Sequence, residues 1–214
     1  RSGSHIPLTG LTAWQGLVEV LEAQPGQTLL ITGGSGSFGQ MAVPIARSLG
    51  LRVIVTGNDR AREQFLAMGV ERYIDYRTEN YWETLSDVDL VIDTLGTGEF
   101  EHALAVLKRG GRLLSLRAVP NGEFARRSGF PWYKRALFTL AGLKYDRAAR
   151  RQGKEYRFLF VHADGEQLRR ITQIVEQHHI TPPVDPRVFS LEQINDALRL
   201  VAEGPIEGKV IIRM

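Results

Sequence analysis

The sequence contains no cysteine, so neither a disulfide nor a thiolate metal site can form within it. It has no run of eighteen apolar residues, and a helix needs about that many to cross a bilayer. No amino-terminal stretch joins a basic start to an apolar core, so no secretory signal is read, and Arg1-Ser2-Gly3-Ser4-His5 has the look of a cloning remnant. Together these absences lead us to expect a cytoplasmic protein with no membrane partner. Negative charge is scarce in one stretch. Between Arg117 and Arg157, eleven Lys or Arg stand against three Asp or Glu, a local charge of +8. The whole chain is at +3, so by difference the remainder carries −5. Such a run is either a solvated helical excursion or a contact for an anionic substrate, for example a coenzyme A thioester. It matches no nucleic-acid-binding motif, so no nucleic acid is expected.

What is present is ordinary in bulk: 214 residues, 43% apolar and 24% charged, enough for one large domain or one domain and part of another. Leu8, Leu11, Trp14, Leu17, Val18 and Leu21 recur at helical spacing over 8–23, and Pro25-Gly26 stops that helix. Strands and helices then alternate. Strands are expected at 28–31, 51–56, 72–76, 88–96, 112–119 and 156–162, with helices at 60–68, 79–85 and 99–111. A helix around Trp132 to Leu143 lies in the basic excursion. Another follows Asp164 as N-cap and ends at Pro182-Pro183. The tail from Val184 to Met214 reads as strand, helix, strand. Strands rich in Val, Ile and Leu, joined by helices, predict a doubly wound parallel sheet of the Rossmann kind (α/β).

The stretch "ITGGSGSFGQ" follows the first strand and opens an amphipathic helix of Phe38, Met41, Ala42, Ile45, Ala46 and Leu49. Pro44 should remove a bond in that helix and bend it. The spacing is Gly33-x-x-Gly36-x-x-Gly39, a pattern that suits a pyrophosphate at a helix amino terminus. In this pattern the three glycines supply the tight turn, the close phosphate approach and the packing contact, while Ser37 and Phe38 offer N–H groups.

Two enzyme classes write this loop. Short-chain dehydrogenases and nucleotide-sugar epimerases need a Tyr followed four residues later by Lys. The six tyrosines are followed at that distance by Arg77, Asn80, Leu85, Leu137, Ala149 and Phe160, so that reading is disfavoured. In contrast, "PLTGLTAWQGLVEV", "PGQTLLITGGSGSFGQMAVPIARSLGLRVIVT", "FLAMGVERYIDYR", "VDLVIDTLG", "LAVLKRGGRLLSL" and "GKVIIRM" occur in the order of a known family. From 7 to 214 the chain resembles the medium-chain dehydrogenase/reductases of the zinc-independent quinone oxidoreductase type, least well over 120–154.

The resemblance implies a cofactor domain over 7–180 and, over 181–214, a segment that normally joins a GroES-like barrel. No barrel precedes "PLTGLTAW" here, so the chain is expected to be a cofactor-binding piece, inactive alone, with its catalytic acid elsewhere. No catalytic residue is named. The implied activity is hydride transfer from NADPH to a quinone, enone or enoyl thioester, the alternative being a non-catalytic NADP(H)-binding redox sensor. Thr56, Gly57 and Asn58 end the second strand, with Arg60 and Arg62 beyond, and guanidinium groups suit a 2′-phosphate. Asp59 is the competing carboxylate that would suit NAD. By resemblance, Tyr76 approaches the 2′-phosphate. Thr94, Leu95 and Gly96, with Leu116, Arg117 and Ala118, line the ribose–nicotinamide end. Phe160 and Val161 form its wall, and Lys209 reaches the cofactor. No metal is expected, because His102, His162, His178 and His179 lack ligand spacing. The resemblance further implies a homodimer through the edge strand 156–162.

Overall fold

The computed structural model describes residues 6–117, 121–159, 161–178, 184–190 and 209–213. Six strands form one sheet: β1 (Thr28–Thr32), β2 (Arg52–Gly57), β3 (Arg72–Asp75), β4 (Val88–Asp93), β5 (Leu107–Ser115) and β6 (Glu155–Phe158). Their order is β3-β2-β1-β4-β5-β6, and every pairing is parallel. This is the strand order of a doubly wound dinucleotide-binding sheet. Successive side chains of a strand point to opposite faces. Accordingly Leu29 and Ile31 enter one core, with Leu11, Leu17, Ile45 and Ile171, whereas Leu30 enters the other, with Val91, Leu104 and Leu113. Buried on both faces, β1 has no need of polar alternation, which explains the run Leu29-Leu30-Ile31.

The helices are α1 (Ile6–Trp14), α2 (Ser37–Ser48), α3 (Arg62–Ala67), α4 (Tyr81–Thr84), α5 (Phe100–Val106), α6 (Gly122–Arg127), α7 (Trp132–Arg151) and α8 (Gly165–Gln177). Asp164 caps α8 as expected, its Oδ1 accepting from the N–H groups of Glu166 and Gln167 at 2.9 and 3.0 Å. Helix α2 continues through Pro44, whose position is buried among apolar neighbours, without ending there.

Several expected boundaries need correction. The helix expected over 8–23 is α-helical only to Trp14 and continues as a π-helix over Gln15–Val20. The wider turn carries Gly16 against Leu114 of the sheet, where an added Cβ would collide. The helix expected over 99–111 stops at Val106. Leu107 is buried and pairs with Val88, and Lys108–Gly111 bulge before the register resumes at Leu90 and Arg112. Gly110 takes φ +80° there, and its N–H bonds the Gly153 carbonyl. The fifth strand ends at Ser115 rather than 119 and the sixth at Phe158 rather than 162, while the fourth ends at Asp93 and runs into the expected turn at Gly96. Helix α7 runs eight residues beyond Leu143, to Arg151. In the tail, β7 (Val184–Ser190) and β8 (Lys209–Arg213) pair in parallel as a separate two-stranded sheet. The helix expected between them lies outside the described residues.

Candidate functional site

The chain leaves β1, reaches the sheet edge at β3, and returns to β4 on the other side of β1. That reversal opens a crevice at the carboxyl ends of β1 and β4, the place where open α/β sheets take ligands. The glycine loop fills its rim. Gly33 has φ +63°, and a Cβ on it would run into Thr94 and Leu95. Gly39, on the first turn of α2, lies so close to the Gly34 carbonyl that no side chain fits. Its close contact is thus with the loop backbone rather than with the strand. Gly36 differs: among the described residues nothing lies within 4 Å of where its Cβ would be. It is the N-cap of α2, and no side chain caps that helix. An open shelf before an uncapped helix start, with the positive end of the helix dipole behind it, fits a pyrophosphate. Ser37 and Phe38 sit on that first turn, as expected.

The loop is held from three sides. The Thr56 hydroxyl accepts from Gly33 N–H at 3.0 Å, and the Thr56 carbonyl accepts from Gly34 N–H at 2.9 Å. Thr94 donates its hydroxyl to the Thr32 carbonyl at 2.7 Å. Thr56 is buried, and both its hydroxyl and its carbonyl are engaged in shaping the loop. The Thr94 hydroxyl is engaged in the same way.

Asp93, at the end of β4, is the centre of this scaffold and was not singled out by sequence. Fully buried, its carboxylate accepts from Thr32 Oγ1 at 2.7 Å and from the N–H groups of Leu95 and Gly96 at 3.0 Å each. Ser115 Oγ adds a longer bond at 3.3 Å. One side chain thereby fastens the carboxyl ends of β1, β4 and β5 and turns the backbone at Gly96, where φ is +111°. A charged residue closing the apolar run Leu90-Val91-Ile92 was the available signal, because a buried carboxylate requires such donors.

Beside β2 the structure gathers Gly57, Ser35 and the Tyr73 hydroxyl, packed so tightly that Gly57 admits no Cβ. Tyr73 donates to the Asn58 carbonyl at 2.6 Å, and burial pushes its phenol up, partly offset by the Ser35 hydrogen bond and Arg62. Asp59 is bound to Arg62 at 2.8 Å. Arg62 also donates to the Tyr73 carbonyl and lies over the Tyr73 ring. Arg60 is exposed and makes no ion pair among the described residues. Tyr76 is exposed at the end of β3, its N–H bonded to the Gly57 carbonyl. Arg77 donates to the Tyr76 hydroxyl and covers that ring. Sequence reasoning missed Ser35, Tyr73 and Arg77, since only the sheet order brings β3 beside Gly57.

At the other end, Leu95 is half exposed over Gly33. Leu116 and Val161 pack partly buried on the core, and Arg117 is exposed beside Gly96. Ala118 and Phe160 lie outside the described residues, and Lys209 is placed only as the first residue of β8. The segment after β6 is held from outside the sheet. Gln15, fully buried at the start of the π-helix, donates to the His162 carbonyl at 2.8 Å and accepts from its N–H at 3.1 Å. Among the described residues no group of three or more His, Asp or Glu is placed to hold a metal ion, and no helix is long and apolar enough to cross a membrane.

Comparison with known proteins agrees with this geometry. Residues 68–212 match the family model of a zinc-binding dehydrogenase. The chain is 30% identical over 209 residues to a phenolphthiocerol/phthiocerol polyketide synthase of Mycobacterium tuberculosis, covering 94% of this chain and 9% of that protein. It is 26% identical to 2-methylene-furan-3-one reductase of Solanum lycopersicum, covering 97% of this chain and 45% of the relative. The quinone oxidoreductase structure of Coxiella burnetii superposes with a TM-score of 0.75 at 25% identity, over 97% of this chain and 59% of that one. The chain thus spans less than two thirds of each of these relatives. From the match to the family model and the shared fold, the chain belongs to the zinc-binding dehydrogenase family, as a cofactor-binding portion of a medium-chain dehydrogenase/reductase.

Proposed function

We propose that this chain is the nucleotide-binding portion of an NADPH-dependent, zinc-independent oxidoreductase that reduces quinones, enones or enoyl thioesters. One observation carries the reading: the open shelf at Gly36 before the uncapped start of α2, at the reversal between β1 and β4. When bound there, a nicotinamide cofactor supplies the hydride. The chain's own residues bind and orient it. The first turn of α2 holds the pyrophosphate, Leu95 and Leu116 give an apolar flank that keeps water from the nicotinamide end, and Gln15 fixes the backbone at 162. The names of the tomato and Coxiella relatives, a reductase of a conjugated enone and a quinone oxidoreductase, support this substrate class.

Preference for NADPH follows from the charges around Gly57. Arg60 is exposed and free of any ion pair among the described residues, Arg77 stands on Tyr76, and the rival carboxylate of Asp59 is already engaged by Arg62. A 2′-phosphate meets guanidinium groups there, whereas a ribose diol meets no uncommitted carboxylate. Calorimetry on the purified chain should give a smaller Kd for NADPH than for NADH. Arg60→Ala should weaken NADPH roughly tenfold, about 1.4 kcal/mol, and leave NADH unchanged. Equal affinities in the wild type would defeat the preference for NADPH.

A further inference from the structure

The basic excursion folds into a cleft that the nucleotide site does not use. Helices α6 and α7 form a hairpin against the outer strand β6, and between them lies a cleft of about 790 Å³. Basic side chains lining it outnumber acidic ones five to three. Two of the five are committed: Arg157 is bonded to Glu155 and to the Val20 carbonyl, and the Lys154 ammonium is turned to the Leu104 carbonyl. The other three, Arg126, Arg135 and Arg150, come from both arms of the hairpin and form no ion pair among the described residues. Asp146, which faces Arg126 and Arg150, accepts from Asn121 at 2.8 Å, and burial pushes its carboxyl up. Trp132 stands at the lip, 79% exposed, an unusual place for an indole.

Three uncommitted guanidinium forks around a cleft of this size, beside an exposed aromatic face, match the chemistry of a phosphate-bearing ligand with a stackable base. We infer that the α6–α7 cleft seats the phosphate-bearing handle of a thioester substrate, with Arg126, Arg135 and Arg150 as its phosphate contacts. This rests on the reductase reading above and narrows its substrate class to enoyl thioesters. The placement is consistent with the chemistry. In such a substrate a long, flexible pantetheine arm separates phosphate from thioester. The charged end can then lie along β6 while the reacting alkene sits at the strand carboxyl ends.

The test is calorimetry of the full chain with coenzyme A, in the presence and absence of saturating NADPH. Coenzyme A should bind with submillimolar affinity in both conditions. Arg126→Ala, Arg135→Ala and Arg150→Ala should each weaken it at least threefold, the triple variant should abolish it, and NADPH affinity should not move. Competition then assigns the source of the handle. Displacement by 3′,5′-ADP points to the nucleotide end of free coenzyme A, and displacement by 4′-phosphopantetheine alone points to a carrier-bound arm. If the triple variant fails to fold, Arg135→Ala decides alone, since that exposed side chain holds no ion pair among the described residues. No binding at millimolar coenzyme A, binding indifferent to the arginines, or displacement by NADPH would overturn the inference. Failure here with NADPH still bound refutes the cleft only. Loss of NADPH binding with coenzyme A retained refutes the reductase reading instead.

Discussion

Among single residues, the three loop glycines look equivalent in sequence and are not. Gly39 is constrained by packing, because a Cβ there meets the Gly34 backbone, which cannot swing aside. Gly36 meets no atom within 4 Å of its would-be Cβ among the described residues, so packing does not demand glycine there, whereas a ligand approaching the shelf would. Gly39→Ala should therefore lower folding stability by about 1–3 kcal/mol, the usual range for overpacking. Gly36→Ala should cost only the smaller loss of replacing an N-cap glycine by alanine, below about 1 kcal/mol, and should weaken NADPH binding. Thermal melts and calorimetry on both variants make the comparison; equal loss of stability in the two would contradict it. The glycine pattern itself was legible. What supports it was not, because Thr56, Thr94 and Asp93 reach the loop from strands 23 to 62 residues away. No local pattern records such pairings.

Strand β4 shows how an element is fastened at both ends. Asp93 ties its carboxyl end to the site, and Asp89 ties its amino end to the neighbouring strands. The Asp89 carboxylate accepts from the Thr28 N–H at 2.8 Å and pairs with Lys108. Burial alone would push this carboxyl up. The bonds from Lys108 and Thr28, with the charges of Lys108 and Arg52, outweigh it and hold the group below its ordinary value. A depressed carboxylate contributes stability above its unfolded value, about 3.9, and that contribution is lost as pH falls through the folded value. Melting temperature should accordingly drop below about pH 4. Asp89→Asn should cost about 1–2 kcal/mol at pH 7 and show a flatter acid limb. A variant as steep as the wild type would remove Asp89 from that role. Lys108 also explains a boundary that sequence reasoning misplaced. Helical spacing and Gly110-Gly111 suggested a helix to 111, yet Leu107 is drawn into the sheet by burial against Val88 and Lys108 by Asp89. Tertiary pairing overrode local propensity.

For the whole molecule, the alternation of strands and helices was enough to fix the architecture, and the observed order agrees with it. The homodimer proposed through 156–162 concerns the outer edge of β6. There the carbonyls of Tyr156 and Phe158 accept from Asn121 and Arg127 at 3.0 and 2.7 Å. Side chains that bond an edge strand compete with a second strand for it. If the dimer forms by strand pairing, those side chains must leave, so Arg127→Ala should strengthen association. Sedimentation should show a dimer in the wild type and tighter self-association in the variant. A wild type monomeric at micromolar concentration would end the proposal.

The strand order also divides the sheet along the sequence as well as in space. β1, β2 and β3 are neighbours drawn from residues 28–75, and β4, β5 and β6 are neighbours drawn from 88–158. The two triplets meet in the sheet along a single seam, β1 against β4, whose partners stand 61 residues apart. Closing that seam carries the greatest loop entropy of any pairing in the six-stranded sheet. The nucleotide crevice lies on the seam itself, between the carboxyl ends of the same two strands. A ligand lodged there presses on both triplets, and its binding free energy adds to their cohesion by mass action. On the proposed reading, cofactor and fold are thereby joined: a bound nucleotide would act as a clasp between two halves of a sheet.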